Sequence, residues 1–286
     1  MPMETITEDE SKRPSLVPTP DFYWRERDGV RALICEPLEK AGFTNAFSTR
    51  LGGVSPMPEA SLNLAGFNED SAANIHENRR RFLKLLDGEW TLTSCWQVHG
   101  SDVRIVKSME DARNDTENCD ALTTRTPGIL LGVKTADCVP LLVGDARTGA
   151  VAGIHAGWRG TVAGIVTHTL SQMLKEFSSR PLDLHVAIGP AANGCCYEVG
   201  TEVIEAFLQS FPRGQHLLTP TRDGHALIDL QKANEELLVA AGVPAEQIHR
   251  APFCTMERTD LFFSYRNEKL QFGRVGRLMA LIGKAA

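Results

Sequence analysis

Cys138 and His155 are the residues in this chain whose surroundings most plainly suit chemistry. Within residues 132–160, Ala136-Asp137-Cys138 leads into an apolar run over 139–143. Residues 144–149 (GDARTG) have the Gly and Asp content of a hairpin connection. A second run over 150–154 then delivers His155 into AGWRG. The thiol and the imidazole are therefore expected side by side at one end of a strand pair. A thiolate so placed suits a transition metal or a nucleophile–base pair. A third segment, WQVHG at 96–100, likewise ends a strand-like run in His99 beside a glycine. Two histidines and one cysteine make a catalytic zinc set, with a fourth position open for water. Such a metal lowers the pKa of its water to about 7. The separations, 39 residues from His99 to Cys138 and 17 on to His155, match no compact metal motif. Spacing therefore leaves open a metal-free reading, with Cys138 as nucleophile and His99 or His155 as its base. Asp137 could orient a histidine, transfer a proton or cap a turn. Arg50 and Arg159 lie in Gly-containing loops, where each could grip an anion as a bidentate fork or serve as a surface ion-pair partner.

These residues need a scaffold, and periodicity supplies one. Extended patterns mark 22–37 (with 30–35 as its core), 43–48, 91–98, 103–106, 121–124, 184–188, 262–266 and 278–282 as strands. Helical spacing marks 71–86, capped by Ser71 or Asn74, and 161–177, with Ile165, Leu170, Leu174 and Phe177 inward. Further helices are expected over 202–211 and 231–241, the latter closed by Gly242. Strands and helices mix without a regular βαβ repeat, so the expected class is α+β, in one domain over 21–286 behind a flexible tail over 1–20.

Composition excludes several functions. No apolar run approaches the roughly 20 residues that span a bilayer. The N-terminus is acidic and polar, unlike a secretory signal. A net charge of -6 without a basic stripe argues against nucleic acid as partner. Seven cysteines, an odd number, read as reduced thiols in a cytoplasmic protein. The adjacent Cys195 and Cys196 are expected to be buried or to form a wall, since nothing pairs them with a third ligand. The remaining histidines are expected to play ordinary roles.

Nine motifs occur in order: FSTRLGGVS at 47–55, SLNL at 61–64, ENR at 77–79, QVHG at 97–100, ADC at 136–138, HAGWRG at 155–160, IGP at 188–190, CCYEV at 195–199 and FSYR at 263–266. In these the chain resembles the YfiH/YlmD family of laccase-domain, multicopper polyphenol oxidase-like proteins, over about residues 42–283. The resemblance implies a single-domain α/β/β/α sandwich, related in fold to cysteine hydrolases. It implies zinc, with copper as an alternative, on His99, Cys138 and His155. It also implies phosphorolysis of adenosine, inosine and 5′-methylthioadenosine, with adenosine deamination as a further reaction. Purine nucleosides and phosphate would then be the partners of a monomer or homodimer. Arg50 and Arg159 become candidates for the anion, Asn63 and Gln97 for ribose or base, and Asp137 for a proton. Editing of a UDP-muramyl amino acid precursor, copper-dependent phenol oxidation and non-enzymatic binding are the alternatives. Asn193-Gly194, Asn267 and Val275 depart from the family pattern and bear on the pocket wall, not on the three ligands.

Overall fold

Strands buried on both faces run through the centre of the molecule, as two stacked sheets with helices outside require. The computed structural model describes residues 20–57, 60–66, 70–114, 116–211 and 213–286. The tail expected over 1–20 lies outside the described residues, apart from Pro20. One six-stranded sheet runs in the order Phe22–Arg27, Val30–Cys35, Thr44–Ser48, Leu278–Gly283, Ile129–Thr135, Thr91–Thr93. The second runs Ile248–Arg250, Leu184–Ile188, Val139–Asp145, Val151–Ala156, Ala121–Thr124, Val103–Ile105. Both are mixed and antiparallel at the centre, the first with a parallel pairing at one edge and the second at both. A small three-stranded sheet stands apart from them.

Phe43, Phe47, Leu131, Leu142 and Ala280 fill the space between the two large sheets. The helix Ala72–Leu83 covers the outside of the first through Phe82, which packs with Val30, Leu64 and Leu281. The helices Ile165–Phe177 and Leu230–Ala240 cover the outside of the second, where Ile165, Leu170 and Met173 meet Val139, Leu141 and Ile154. The layer order is helix, sheet, sheet, helix, so the α+β class and the α/β/β/α sandwich hold. No helix among the described residues is long and apolar enough to cross a membrane.

Four expectations change. The strand expected over 91–98 is only Thr91–Thr93, which leaves His99 in a loop. The helix expected over 161–177 is two, Trp158–Val162 and Ile165–Phe177, broken where Gly164 adopts a left-handed φ of 78°. Leu174 is 55% exposed, and Met173 takes the inward place because Ile165, Val166, Leu170 and Met173 form the helical stripe. Residues 262–266 form no strand, since the Ser264 side chain accepts from the Asn267 N–H and caps the helix Tyr265–Phe272.

The feature that matters for function is a change of sheet. Ile129–Thr135 belongs to the first sheet and Val139–Asp145 to the second. The chain crosses between them in Ala136-Asp137-Cys138.

Candidate metal centre

Alternation along the hairpin decides where its side chains point. Val139, Leu141 and Val143 face the outer helices, whereas Leu142 faces the first sheet. Cys138 shares the parity of Leu142. On the paired strand His155 shares the parity of Val151, which also packs between the sheets. Pro140 is registered opposite His155 and Val139 opposite Ala156, so Cys138 lies one step beyond the pairing, beside Gly157. His99 comes from a separate loop, and its ring meets that of His155 edge-on at 4.9 Å between centroids. The donor atoms of His99, Cys138 and His155 all lie within 4.8 Å of one another. Two imidazole nitrogens and one sulfur at that separation fit a borderline-soft divalent ion.

The backbone is bent to achieve this. His99 and Asp137 have φ values of 60° and 85°, in the region that side chains other than Asn, Asp and His seldom visit. Asp137 is held there by three donors: Thr255 Oγ1 at 2.7 Å, Ser264 Oγ at 3.1 Å and the Arg266 N–H at 2.7 Å. Burial raises its pKa against the pull of those donors. With both oxygens occupied, Asp137 holds the crossover that carries Cys138.

Asp120, which no motif marked, organises the centre. It is fully buried, and its Oδ1 lies 2.8 Å from His155 Nδ1. The same carboxylate accepts the backbone N–H groups of Val98 at 3.2 Å, His99 at 3.0 Å and Gly100 at 2.7 Å. One residue therefore fixes the ring of one histidine and the backbone of the other. An ionised Asp120 accepts a hydrogen bond from His155 Nδ1–H and so leaves Nε2 to act as the ligand. Burial works against the Asp120 charge, but the bonds from His155 and from the Gly100 and Val98 N–H groups outweigh it and keep the pKa low. Burial also opposes a Cys138 thiolate, yet the charge of His155 and the bonds from both histidines draw the thiol pKa down. The His155 pKa rises in turn, as Cys138 and Asp120 overcome its burial. A soft anionic donor beside an imidazole is what a metal ion displaces a proton to occupy.

Glycines make room. A Cβ built on Gly157 would stand 3.0 Å from Cys138 Sγ and 3.1 Å from His99 Cδ2. The φ and ψ of Gly157, -73° and 172°, are open to any residue. Gly157→Ala is therefore expected to leave the melting temperature nearly unchanged while weakening metal binding roughly 10–100-fold, the usual cost of disturbing a ligand's support. Chelator competition measures this, and wild-type affinity would contradict it.

The donors stand at the wall of a cavity of about 540 Å³. Among the described residues, Lys134, Arg159, Arg266 and Arg277 line it, against Asp137 as the one carboxylate. Four aromatic residues, Trp96, Trp158, Tyr197 and Tyr265, line it too. Trp96 is 53% exposed and Tyr265 48%, unusual for rings of this size unless something packs on them. Arg159 borders the cavity as expected, with its guanidinium over the Trp158 ring and 3.5 Å from Glu202. Gln97 also lines it, but the Lys134 backbone engages both amide atoms, at 2.7 Å and 2.8 Å. It ties the His99 loop to the first sheet.

Two expected substrate contacts lie elsewhere. Arg50 is buried in an ion pair with Glu268 at 2.8 Å, donates to Thr259 O at 2.7 Å and lies over the Phe263 ring. Its Gly-rich loop turns it inward, as an internal counter-ion. Asn63 is fully buried, and its Oδ1 accepts the Ala65 and Arg277 N–H groups, so it braces backbone. Arg50→Ala strands the Glu268 charge and is expected to cost roughly 3 kcal/mol in urea unfolding. An undiminished stability with lost turnover would return Arg50 to the site.

Residues 44–284 match the family model described as multi-copper polyphenol oxidoreductase laccase. The chain belongs to that family, the YfiH/YlmD proteins. Purine nucleoside phosphorylase YlmD of Geobacillus stearothermophilus is 35% identical over 275 residues, covering 93% of this chain and 98% of the relative. A purine nucleoside phosphorylase of Bacteroides thetaiotaomicron is 37% identical, covering 80% of this chain and 87% of the relative. The crystal structure of YlmD from Geobacillus stearothermophilus superposes with a TM-score of 0.84, over 93% of this chain and all of that one. The YfiH protein of Bacillus licheniformis, 29% identical, gives the same TM-score over the same shares. The residues matched by the family model hold the whole second sheet, four of the six strands of the first and all three candidate ligands.

Proposed function

We propose that this protein is a zinc-dependent purine nucleoside phosphorylase acting on adenosine, inosine and 5′-methylthioadenosine, with adenosine deamination as a second reaction. The observation that carries this reading is the meeting of three kinds of group in one cavity: three metal-competent donors, four basic side chains and four aromatic rings. A purine needs a stacking surface, a phosphate needs cations, and the cavity offers both within one nucleoside's reach. Relatives 35–37% identical and named as purine nucleoside phosphorylases support it.

In phosphorolysis an oxygen of phosphate forms the bond to C1′ while the bond from C1′ to the base nitrogen breaks, its electron pair leaving with the purine. In this reading Arg159, Arg266 and Arg277 hold the phosphate dianion and Trp96 and Tyr265 stack the base, supported by their shared place in the cavity lining. Arg266 is itself fixed over the Tyr197 ring and by its bond to Glu198 O at 2.7 Å. His99, Cys138 and His155 would hold the zinc, which supplies Lewis acidity at a substrate oxygen and a water of near-neutral pKa. The copper oxidase reading needs several metal ions and more histidines than the two gathered here.

The test is to incubate metal-loaded protein with adenosine, with and without phosphate, and resolve the products. Adenine with ribose 1-phosphate, formed only when phosphate is present, is the expected result. Inosine would mark the deaminase. Formation of neither overturns the reading.

A further inference from the structure

Away from this centre the fold gathers a second set of donors. The loop after Leu184–Ile188 and the segment after Ile248–Arg250 run side by side, with Ala191 paired to Cys254. The Thr255 N–H donates to Ala191 O at 3.0 Å and locks the two together. This sets Cys195 and Cys196 against Cys254, and the turn after Cys254 brings Glu257 to the same point. The three sulfurs and a carboxylate oxygen of Glu257 all lie within 4.8 Å of one another. Cys254 is buried, Cys196 half-buried, and Cys195 and Glu257 are exposed. The donors thus form a cup, closed below and open to solvent above. The sequence reading of Cys195 and Cys196 as wall residues without a third ligand is corrected here, because Cys254 and Glu257 arrive from about 60 residues further along the chain.

We propose that Cys195, Cys196, Cys254 and Glu257 form a second metal site, for a thiophilic divalent ion of the zinc class. Three sulfurs disfavour magnesium and calcium, which take oxygen donors. Four protein donors complete a tetrahedral shell and leave no position for substrate, which makes the site structural. The sulfurs bind as thiolates, so the ion must displace protons to bind. Its position gives it a task. Tyr197 follows Cys196 and lines the cavity, while Thr255 follows Cys254 and donates to Asp137. An ion in the cup would clamp together two segments that shape the cavity. The inference stands independently of the proposed activity.

The experiment is zinc stoichiometry by mass spectrometry on full-length protein, stripped with chelator and reconstituted under reducing conditions. Wild type is expected to bind two equivalents, Cys138→Ala one, Cys254→Ala one and the double variant none. Glu257→Gln, at an exposed position, avoids any change to the core and is expected to release the second equivalent to a chelator at least tenfold more readily. Cobalt substitution gives an independent readout: Cys138→Ala should retain strong thiolate-to-metal absorption, and Cys254→Ala only the weak absorption of a single thiolate. One equivalent in wild type that Cys138→Ala removes, or two retained in both Cys254→Ala and Glu257→Gln, overturns the proposal.

Discussion

Cys138→Ala is expected to leave the protein folded, to abolish metal binding at the centre it shares with His99 and His155, and to reduce turnover to background. Cys138 supplies the only sulfur there, and the only donor that carries charge when deprotonated. Two imidazoles without it offer a divalent ion no anionic partner. The side chain is half-buried and small, so the stability cost should stay near 1 kcal/mol, typical of a point substitution. Cys138→Ser is expected to behave like the alanine variant, because a serine hydroxyl does not ionise near neutral pH. Metal content separates this account from one in which Cys138 acts as a metal-free nucleophile. There, wild type would turn over after exhaustive chelation, and the variant's lost activity would not track its metal content. Activity in chelated wild type, or a full metal complement in Cys138→Ala, would dismiss the thiolate-ligand role.

Cys138 and His155 were legible in the sequence because each flanks an extended run beside a small residue, and alternation then fixes the face, whereas His99 stands in a loop past the strand Thr91–Thr93 and is marked only by its QVHG motif. The hairpin carrying Cys138 and His155 was legible for the same reason. The sheet change before it was not: no local pattern separates Ile129–Thr135 from Val139–Asp145 as strands of different sheets. What divides them is Asp137 in a left-handed conformation, held by donors from residues 255–266, contacts that no local pattern encodes. Arg50 and Asn63 were misplaced by a related blindness. A Gly-rich loop exposes a side chain or folds it inward, and the deciding partner, Glu268 for Arg50, lies more than 200 residues away. Phe262-Phe263 carries strand propensity, yet Ser264 after it caps a helix, and the cap prevailed.

Asp120 shows the limit most clearly, and its removal is the most disruptive change expected around the centre. It sits 21 and 35 residues from the histidines it serves, in what reads as the end of a polar loop. Asp120→Ala would strand three part-buried backbone N–H groups and the buried Nδ1–H of His155. The cost should reach about 3–5 kcal/mol, the range for breaking a buried charged pair. Metal affinity should also fall roughly 10–100-fold, since both histidines lose their orientation. Asp120→Asn separates the two effects. Its amide oxygen can still face His155 and the His99 N–H, which would preserve much of the stability. Its NH2 would then confront the Gly100 and Val98 N–H groups, donor against donor, and push the His99 loop outward. The asparagine variant should therefore unfold at a urea midpoint between those of wild type and the alanine variant, yet bind metal almost as weakly as the alanine variant. Chelator competition and urea titration on the same preparations measure both quantities. Wild-type metal affinity in Asp120→Asn would show that the His155 contact alone positions the site and that the three N–H bonds serve only the loop.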